Sequence, residues 1–378
     1  MSGSKSILLL AGGLVVGLVV GGVVGMQYLG QQKPAMAPAP SPAPSQPTAQ
    51  APAPAAEQQV TWNLASAYGS KLKQLGTLGV RLSEEMGTVS GGTLQFKLYE
   101  PGALVPALEM FDAVSSGSVD AGWSTPGYWT GKDETFALFA AVPFGPRAGE
   151  YLGWYYHGGG KELFDELYAQ YNIKGVMCGV IAPEASGWFR KEINSVDDLK
   201  GLKMRFFGLG AKVMEKMGVS TQLLAGGDIF PALERGSIDA TEFSMPAIDL
   251  DLGFYQVAKH YYFPGWHQQS TLFDLMMNKD KYDALSDTQK SQIDAVCGDN
   301  IRAGLAEGEA IQGAALAELQ EKGVTIHQWS PEILAELEKA WNDVAADLAA
   351  TNPNFKKVWD SLTAFRAQYK VWGDLGYL

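Results

Sequence analysis

Ser195-Val196-Asp197-Asp198-Leu199-Lys200-Gly201-Leu202-Lys203-Met204-Arg205-Phe206 reads as a turn and short helix feeding a strand, and the strand carries a lone arginine into an apolar setting. A guanidinium keeps its proton under all ordinary conditions, so burying it requires an anion alongside. That anion is either a carboxylate of the protein or one brought by a ligand.

Downstream of this stretch, Gly236-Ser237-Ile238-Asp239-Ala240-Thr241-Glu242-Phe243 repeats the order of Gly117-Ser118-Val119-Asp120-Ala121-Gly122-Trp123. Each follows a helical segment with Gly-Ser, an aliphatic residue and Asp-Ala, and each leads into a loop. The repeat predicts two similarly built lobes that present their loops to a shared cleft, the place where open α/β sheets hold ligands. Upstream, a strand at Val60 to Ala65, an amphipathic helix to Met86 and an alternating strand from Thr93 to Tyr99 form a βαβ unit. Ile173 to Ile181 and Ser270 to Met277 are long apolar strands, and Lys259 to His267 is an aromatic crossing between halves. Ile229 to Arg235 reads as a short helix with Pro231 in its first turn. A long helix from Ser286 to about Gln320 is placed to brace both lobes, and helices opened by Pro331 and by Asn354 end the chain. The last carries Phe355, Val358, Trp359 and Phe365 as an apolar stripe that must pack on the body or on a twin subunit.

The amino-terminal stretch Ile7 to Met26 contains no charged residue, and as a helix it matches the thickness of a bilayer. It is read as a retained anchor, with a cleaved signal as the alternative. Gln31 to Ala56 is nearly all Pro, Ala, Ser and Gln, a tether that builds no core. Either reading exports the body. The organisation expected is a leader over 1–30, a linker over 31–56, a first lobe over 57–181, a second over 182–268, a return with bracing helix over 269–330, and C-terminal helices over 331–378. Removing the linker and leader lysines, Lys5 and Lys33, from the formal net charge of -12 leaves -14 on the body, a field that repels nucleic acid. Cys178 and Cys297 are either a disulfide or two buried thiols.

His157, His260, His267 and His327 lack the spacing of a zinc hydrolase, Gly158-Gly159-Gly160 lacks the Lys-Ser or Lys-Thr of a phosphate loop, and no Gly-x-Ser-x-Gly elbow occurs. An enzyme is therefore not expected. What remains is Arg205, the carboxylates Glu184 and Glu242, and aromatics such as Trp123, Tyr128, Trp188, Phe243 and Trp266, which suit a small carboxylate held by a fork and shielded from water.

The stretches GWSTPGYWTGKDETFALFAAVPFG at 122–145, GWFRKEINSVDDLKGLKMRFFGLGAKVMEKMG at 187–218, DIFPALERGSIDATEF at 228–243 and YYFPGWHQ at 261–268 resemble the solute-binding receptors of tripartite ATP-independent periplasmic (TRAP) transporters, in the branch that binds 2-oxo acids. The resemblance implies a periplasmic solute-binding protein fold, two α/β lobes joined by crossing strands with C-terminal helices. It also implies a small monocarboxylate as solute, membrane permease subunits as partners, and a homodimer formed with help from the final helix. Carried over, Arg205 grips the solute carboxylate. Glu184, Glu242 and the backbone of Phe243 hold a bridging cation, Tyr128 and Trp129 close over the solute, and Trp188 and His267 line the pocket. Where the branch typically has glutamine this chain has Glu184, and where tryptophan is usual it has Phe243. The extra carboxylate favours a divalent cation, so calcium is expected over sodium. The alternatives are a membrane-anchored sensory or scaffold protein on the same fold and, less favoured, an enzyme.

Overall fold

A computed structural model describes residues 59–377. The apolar stretch Ile7 to Met26 and the Pro/Ala linker lie outside these residues, and no helix among the described residues is long and apolar enough to cross a membrane.

Among the described residues, eleven strands form two sheets. They are β1 (Val60–Ser66), β2 (Leu94–Tyr99), β3 (Ala121–Ser124), β4 (Ile173–Ile181), β5 (Gly187–Phe189), β6 (Lys203–Arg205), β7 (Ser220–Gln222), β8 (Ala240–Thr241), β9 (His260–Phe263), β10 (Thr271–Asn278) and β11 (Thr325–Gln328). The first sheet has the order β2-β1-β3-β10-β4 and the second β11-β9-β5-β8-β6-β7. In the first, β1 runs parallel to β2 and β3, and β10 returns antiparallel between β3 and β4. In the second, β6 is parallel to β7 and β8, whereas β5 is antiparallel to β8 and β9. The result is a two-lobed α/β fold.

The repeated Gly-Ser-aliphatic-Asp-Ala unit does the same work in both sheets. Gly117 and Gly236 both turn the chain at positive φ, 77° and 72°, where a side chain would be strained. The aspartate that follows accepts a hydrogen bond from a backbone N–H of the neighbouring parallel strand. Asp120 takes it from Asn63 at 2.8 Å, and Asp239 from Lys203 at 3.0 Å. Each unit thus docks its short strand beside a parallel partner, β3 on β1 and β8 on β6, and aims the following loop at the cleft.

The opening stretch folds as its composition dictates. Ser195 and Asp198 form a capping box around the single turn Val196–Leu199, Gly201 reverses the chain at φ 79°, and β6 follows. One element departs from expectation: the helix around Pro231 begins at Gly226, so Pro231 sits inside it rather than in its first turn. Gly226 and Gly227, which look like punctuation, supply that first turn after an extended Ala225.

The chain passes between the sheets three times, from β4 to β5 through Ala182–Ser186, from β9 to β10 through Pro264–Ser270, and from β10 to β11 through a long helix; the first two are short crossings. They bind each other through Glu184 N–H to Gln268 carbonyl (3.1 Å) and Gly265 N–H to Glu184 carbonyl (3.0 Å). A Cβ at Gly265 would lie 2.2 Å from that carbonyl oxygen, so only glycine lets the crossings approach this closely. The 35-residue helix Asp287–Glu321, opened by a Ser286–Gln289 capping box, lies against β4 and reaches the helix Pro246–Leu252 beside the second sheet.

Cys178 in β4 and Cys297 in that helix are bonded, deciding between the two states the sequence allows. The bridge closes a sequence separation of 119 residues. Loop-closure arguments assign a bridge of this kind about 2–4 kcal/mol. Cys297→Ser is therefore expected to lower the urea midpoint by that equivalent, and an unchanged midpoint would show that helix packing alone fixes this contact.

Candidate functional site

Arg205 ends β6 and Glu242 follows β8, the neighbouring strand, so the pairing of two short parallel strands puts cation and anion side by side. Arg205 donates from Nη1 to Glu242 Oε1 (2.7 Å) and to the Glu242 carbonyl (2.8 Å), and from Nε to the Leu224 carbonyl (3.2 Å). Glu242 Oε1 also accepts from the Phe207 N–H. Both side chains are buried, at 1% and 0% exposure, which makes mutual neutralisation compulsory. The sequence left the protein's own carboxylate and a ligand's as alternatives for the anion. The structure shows the internal pair, yet among the described residues nothing accepts from Nη2, and Arg205 stands on the wall of a cavity.

That cavity lies between the lobes and is small, about 20 Å³. Tyr68, Thr125, Tyr128 and Phe273 come from the first sheet and its loops, Arg205, Phe207 and Phe243 from the second, and Glu184, Gln268 and Thr271 from the crossings and the start of β10. Close approach of the lobes rests on Gly127, where a Cβ would fall 2.1 Å from the Phe207 ring.

Glu184 and His267 approach the same corner, one from each crossing. One ligand atom from each of Glu184, Glu242 and His267 falls within 4.8 Å of the others. Glu184 Oε1 accepts from the Thr271 hydroxyl at 2.9 Å, while its Oε2, Glu242 Oε2 and both ring nitrogens of His267 are buried without a hydrogen-bond partner. His267 Nε2 lies 3.6 Å from Glu242 Oε2, beyond hydrogen-bond range. Burial opposes the charge of Glu242, yet Arg205, His267 and the Phe207 N–H together hold its carboxyl below the usual range. Burial, reinforced by the Glu242 charge, pushes the Glu184 carboxyl well above that range. Two buried carboxylates with one unsatisfied oxygen each fit a cation: bound there, it would supply the missing partner and draw the proton off Glu184.

Over residues 65–352 the chain matches the bacterial extracellular solute-binding proteins, family 7 (DctP). It belongs to that family. DctP-family proteins are solute-binding receptors rather than enzymes. A curated relative in Nostoc sp., a monocarboxylate 2-oxoacid-binding periplasmic protein, is 34% identical over 321 residues, covering 84% of this chain and 87% of that protein. The solved TRAP solute-binding protein of Bordetella bronchiseptica superposes with a TM-score of 0.82 at 32% identity, over 84% of this chain and 95% of that one. It is a mixed-occupancy dimer with copurified calcium and picolinate in one site and an apo site in the other. The TRAP periplasmic solute-binding protein of Pseudoalteromonas atlantica, with sodium and pyruvate bound, gives a TM-score of 0.81 at 32% identity, over 84% and 97%.

In this DctP-family receptor Arg205, Glu184, Tyr128 and Phe243 are on the cavity wall, and His267 stands beside Glu242. Four of the aromatics singled out from sequence are elsewhere: Trp123 is buried behind Phe273, Trp266 packs on Phe144 and Phe206, and Trp188 and Trp129 also face away. Trp188 is fully buried, stacked 3.9 Å from Tyr261 with its Nε1 donating to Asp249 Oδ2 at 2.9 Å, so its indole N–H serves a core carboxylate. Trp129 turns into the first lobe against Phe111, 5.3 Å between ring centroids, while the adjacent Tyr128 faces the cavity. Tyr68, Thr125, Phe207, Gln268 and Thr271 line the cavity without having been singled out from sequence.

Two further buried acids shape the pH response. Asp249 accepts from Trp188, Tyr261 and the Ser244 N–H, and Asp274 from the Tyr168 hydroxyl; burial raises them to about 8 and about 7. An unfolded aspartate releases its proton near pH 3.9. Between there and pH 7 to 8 the folded protein holds protons the unfolded chain has lost, so stability falls as pH rises through that window. Urea midpoints of cation-free protein are expected to drop between pH 5 and 8, and Asp274→Asn to flatten the lower part of the slope; a midpoint that rises over this range refutes the assignment.

Proposed function

We propose that this receptor takes a small monocarboxylate, a 2-oxo acid such as pyruvate or a 2-hydroxy acid such as lactate, into the interlobe cavity without altering it. The observation that carries the reading is the buried Arg205–Glu242 pair on the wall of the interlobe cavity, in which, among the described residues, Arg205 Nη2 and Glu242 Oε2 have no hydrogen-bond partner. Arg205 grips the solute carboxylate with its free edge, a charge-assisted contact of about 1.5–3 kcal/mol. Glu184 and Glu242, with the backbone of Phe243, hold a cation that also binds solute oxygens, calcium in preference to sodium. Tyr128 and Phe207, edge to face at 5.3 Å, shut the cavity from opposite lobes.

The receptor hands its solute to TRAP permease subunits, and the stretch Ile7 to Met26 tethers it to the inner membrane, which would raise its concentration near that permease. The final helix, Pro353–Gly376, buries Phe355, Val358 and Leu362 but exposes Val371, Trp372 and Leu375, a face suited to a second copy. Calorimetry on protein stripped by chelator tests the central claim. Pyruvate is expected to bind with calcium present and at least about tenfold more weakly in chelator, a loss of about 1.4 kcal/mol. No binding of either pyruvate or lactate, with or without calcium, refutes it.

A further inference from the structure

We propose that His260 and His327 form a metal site of their own at the edge of the second sheet, one that takes a borderline divalent transition ion such as zinc or copper(II). Neither residue lines the interlobe cavity. They lie 67 residues apart, so no motif spacing joins them, but the pairing of β9 with β11 does. β11 is an edge strand parallel to β9, with His327 in register with Tyr262. Residues two apart on a strand share a face, so His260 and Tyr262 both stand beside His327. His260 Nδ1 and His327 Nε2 meet at 2.9 Å. Tyr262 stacks on His327 at 4.5 Å and 10°, which fixes the plane of that ring.

Two imidazole nitrogens directed at one point are a donor set that zinc and copper accept and calcium, which takes oxygen ligands, does not. On a tetrahedral ion about 2.0–2.1 Å from each, the two nitrogens would stand about 3.3 Å apart. A small tilt of the rings opens the observed pair to that spacing with the strands unmoved. One ring carries the proton of the present hydrogen bond, and a bound ion takes the place of that proton.

The far side of His327 supports the same arrangement. Its Nδ1 faces Glu192 Oε1 at 3.9 Å, and Glu192 is 51% exposed, free to close that gap by a change of rotamer. A carboxylate accepting from Nδ1–H selects the tautomer that leaves Nε2 to ligate, the usual partner of a metal-bound histidine. Burial, with the His260 ring adding to it, holds His327 below the ordinary imidazole range, so protons compete weakly for it at neutral pH. Both histidines are partly exposed, which leaves room for water to complete the ion's shell. Lys259, next to His260 in sequence, donates instead to the Lys322 carbonyl at 3.1 Å.

An ion at this pair pins the edge strand to β9. β11 runs directly into Trp329, which stacks on Tyr262 at 4.2 Å and donates from Nε1 to Ser186 Oγ at 2.7 Å in the first crossing. The site therefore braces the foot of that crossing, and zinc is expected to raise the urea midpoint of the folded protein.

The test is calorimetry with zinc on chelator-stripped protein with excess calcium present. His260→Ala and His327→Ala are each expected to weaken zinc at least about a hundredfold and Glu192→Gln about tenfold, with Glu184→Gln leaving this site intact. One equivalent of copper(II) gives a readout that loss of stability does not imitate. Its paramagnetic resonance spectrum is expected to show two imidazole nitrogens in the wild type and in Glu184→Gln, and one in either histidine variant; the interlobe corner could supply only His267. Zinc binding that survives both histidine substitutions, or a wild-type copper spectrum with fewer than two imidazole nitrogens, overturns the site and leaves His260 and His327 an ordinary hydrogen-bonded pair. Neither result bears on the solute cavity.

Discussion

Arg205→Met is expected to abolish measurable solute binding and to lower the stability of the free protein by about 3–5 kcal/mol, because it strands a buried carboxylate. Glu242 is fully buried, and its Oε1 would keep only the Phe207 N–H. Adding Glu242→Gln removes the stranded charge, so the double variant is expected to regain most of the lost stability. It is not expected to regain binding, because the guanidinium edge that meets the solute carboxylate and the Glu242 cation ligand are both still missing; the arginine's charge-assisted contact alone, at about 1.5–3 kcal/mol, corresponds to a loss of ~10- to 150-fold. Urea unfolding and calorimetry on the wild type, both single variants and the double variant close the cycle. A purely structural Arg205 predicts that the double variant binds as tightly as Glu242→Gln alone, and that outcome would remove the arginine from the solute site.

The sequence made Arg205 conspicuous for a local reason, a cation at the end of an apolar strand. Glu242 was conspicuous as well, after the second Gly-Ser-aliphatic-Asp-Ala unit, but as a cation ligand; its pairing with Arg205 follows from the parallel register of β6 and β8, which no local pattern marks. The lobes were legible from the same repeat, and the structure adds the cause: Asp120 and Asp239 each cap the neighbouring strand's backbone. Features that depend on distant segments meeting left no local trace. Tyr68 and Thr271 reach the cavity from β1 and β10, which are far apart in the chain, and no spacing rule marks them. Trp188 has the composition of a pocket aromatic, but Asp249, 61 residues away, captures its N–H inside the core. The Cys178–Cys297 bond likewise depends on how the long helix lies against β4. His267 could have been promoted from lining residue to neighbour of the cation, since it lies in the same crossing as Gln268, whose carbonyl accepts from Glu184.

Glu184→Gln is expected to weaken calcium-dependent solute binding on the order of a thousandfold while leaving sodium-supported binding in place. The argument is a charge count at one closed corner. Arg205 offsets Glu242, so the solute carboxylate and Glu184 remain to balance the cation, and together they match a dication. With glutamine only the solute's charge remains, which suits a monovalent ion; charge count is the main lever on calcium affinity in oxygen-ligand sites. The protonation of Glu184 gives the prediction a second readout. Because burial holds its proton well above the ordinary carboxylate range in the free protein, calcium must expel that proton to bind. Wild-type calcium affinity should therefore rise by about tenfold per pH unit until the free-state value is passed, then level off. The glutamine variant has no such proton at this position, so its slope should be shallower by about one proton. If the variant instead binds calcium and pyruvate as tightly as wild type and with the same pH slope, Glu184 does not ligate the cation, and its unsatisfied oxygen must be answered by water.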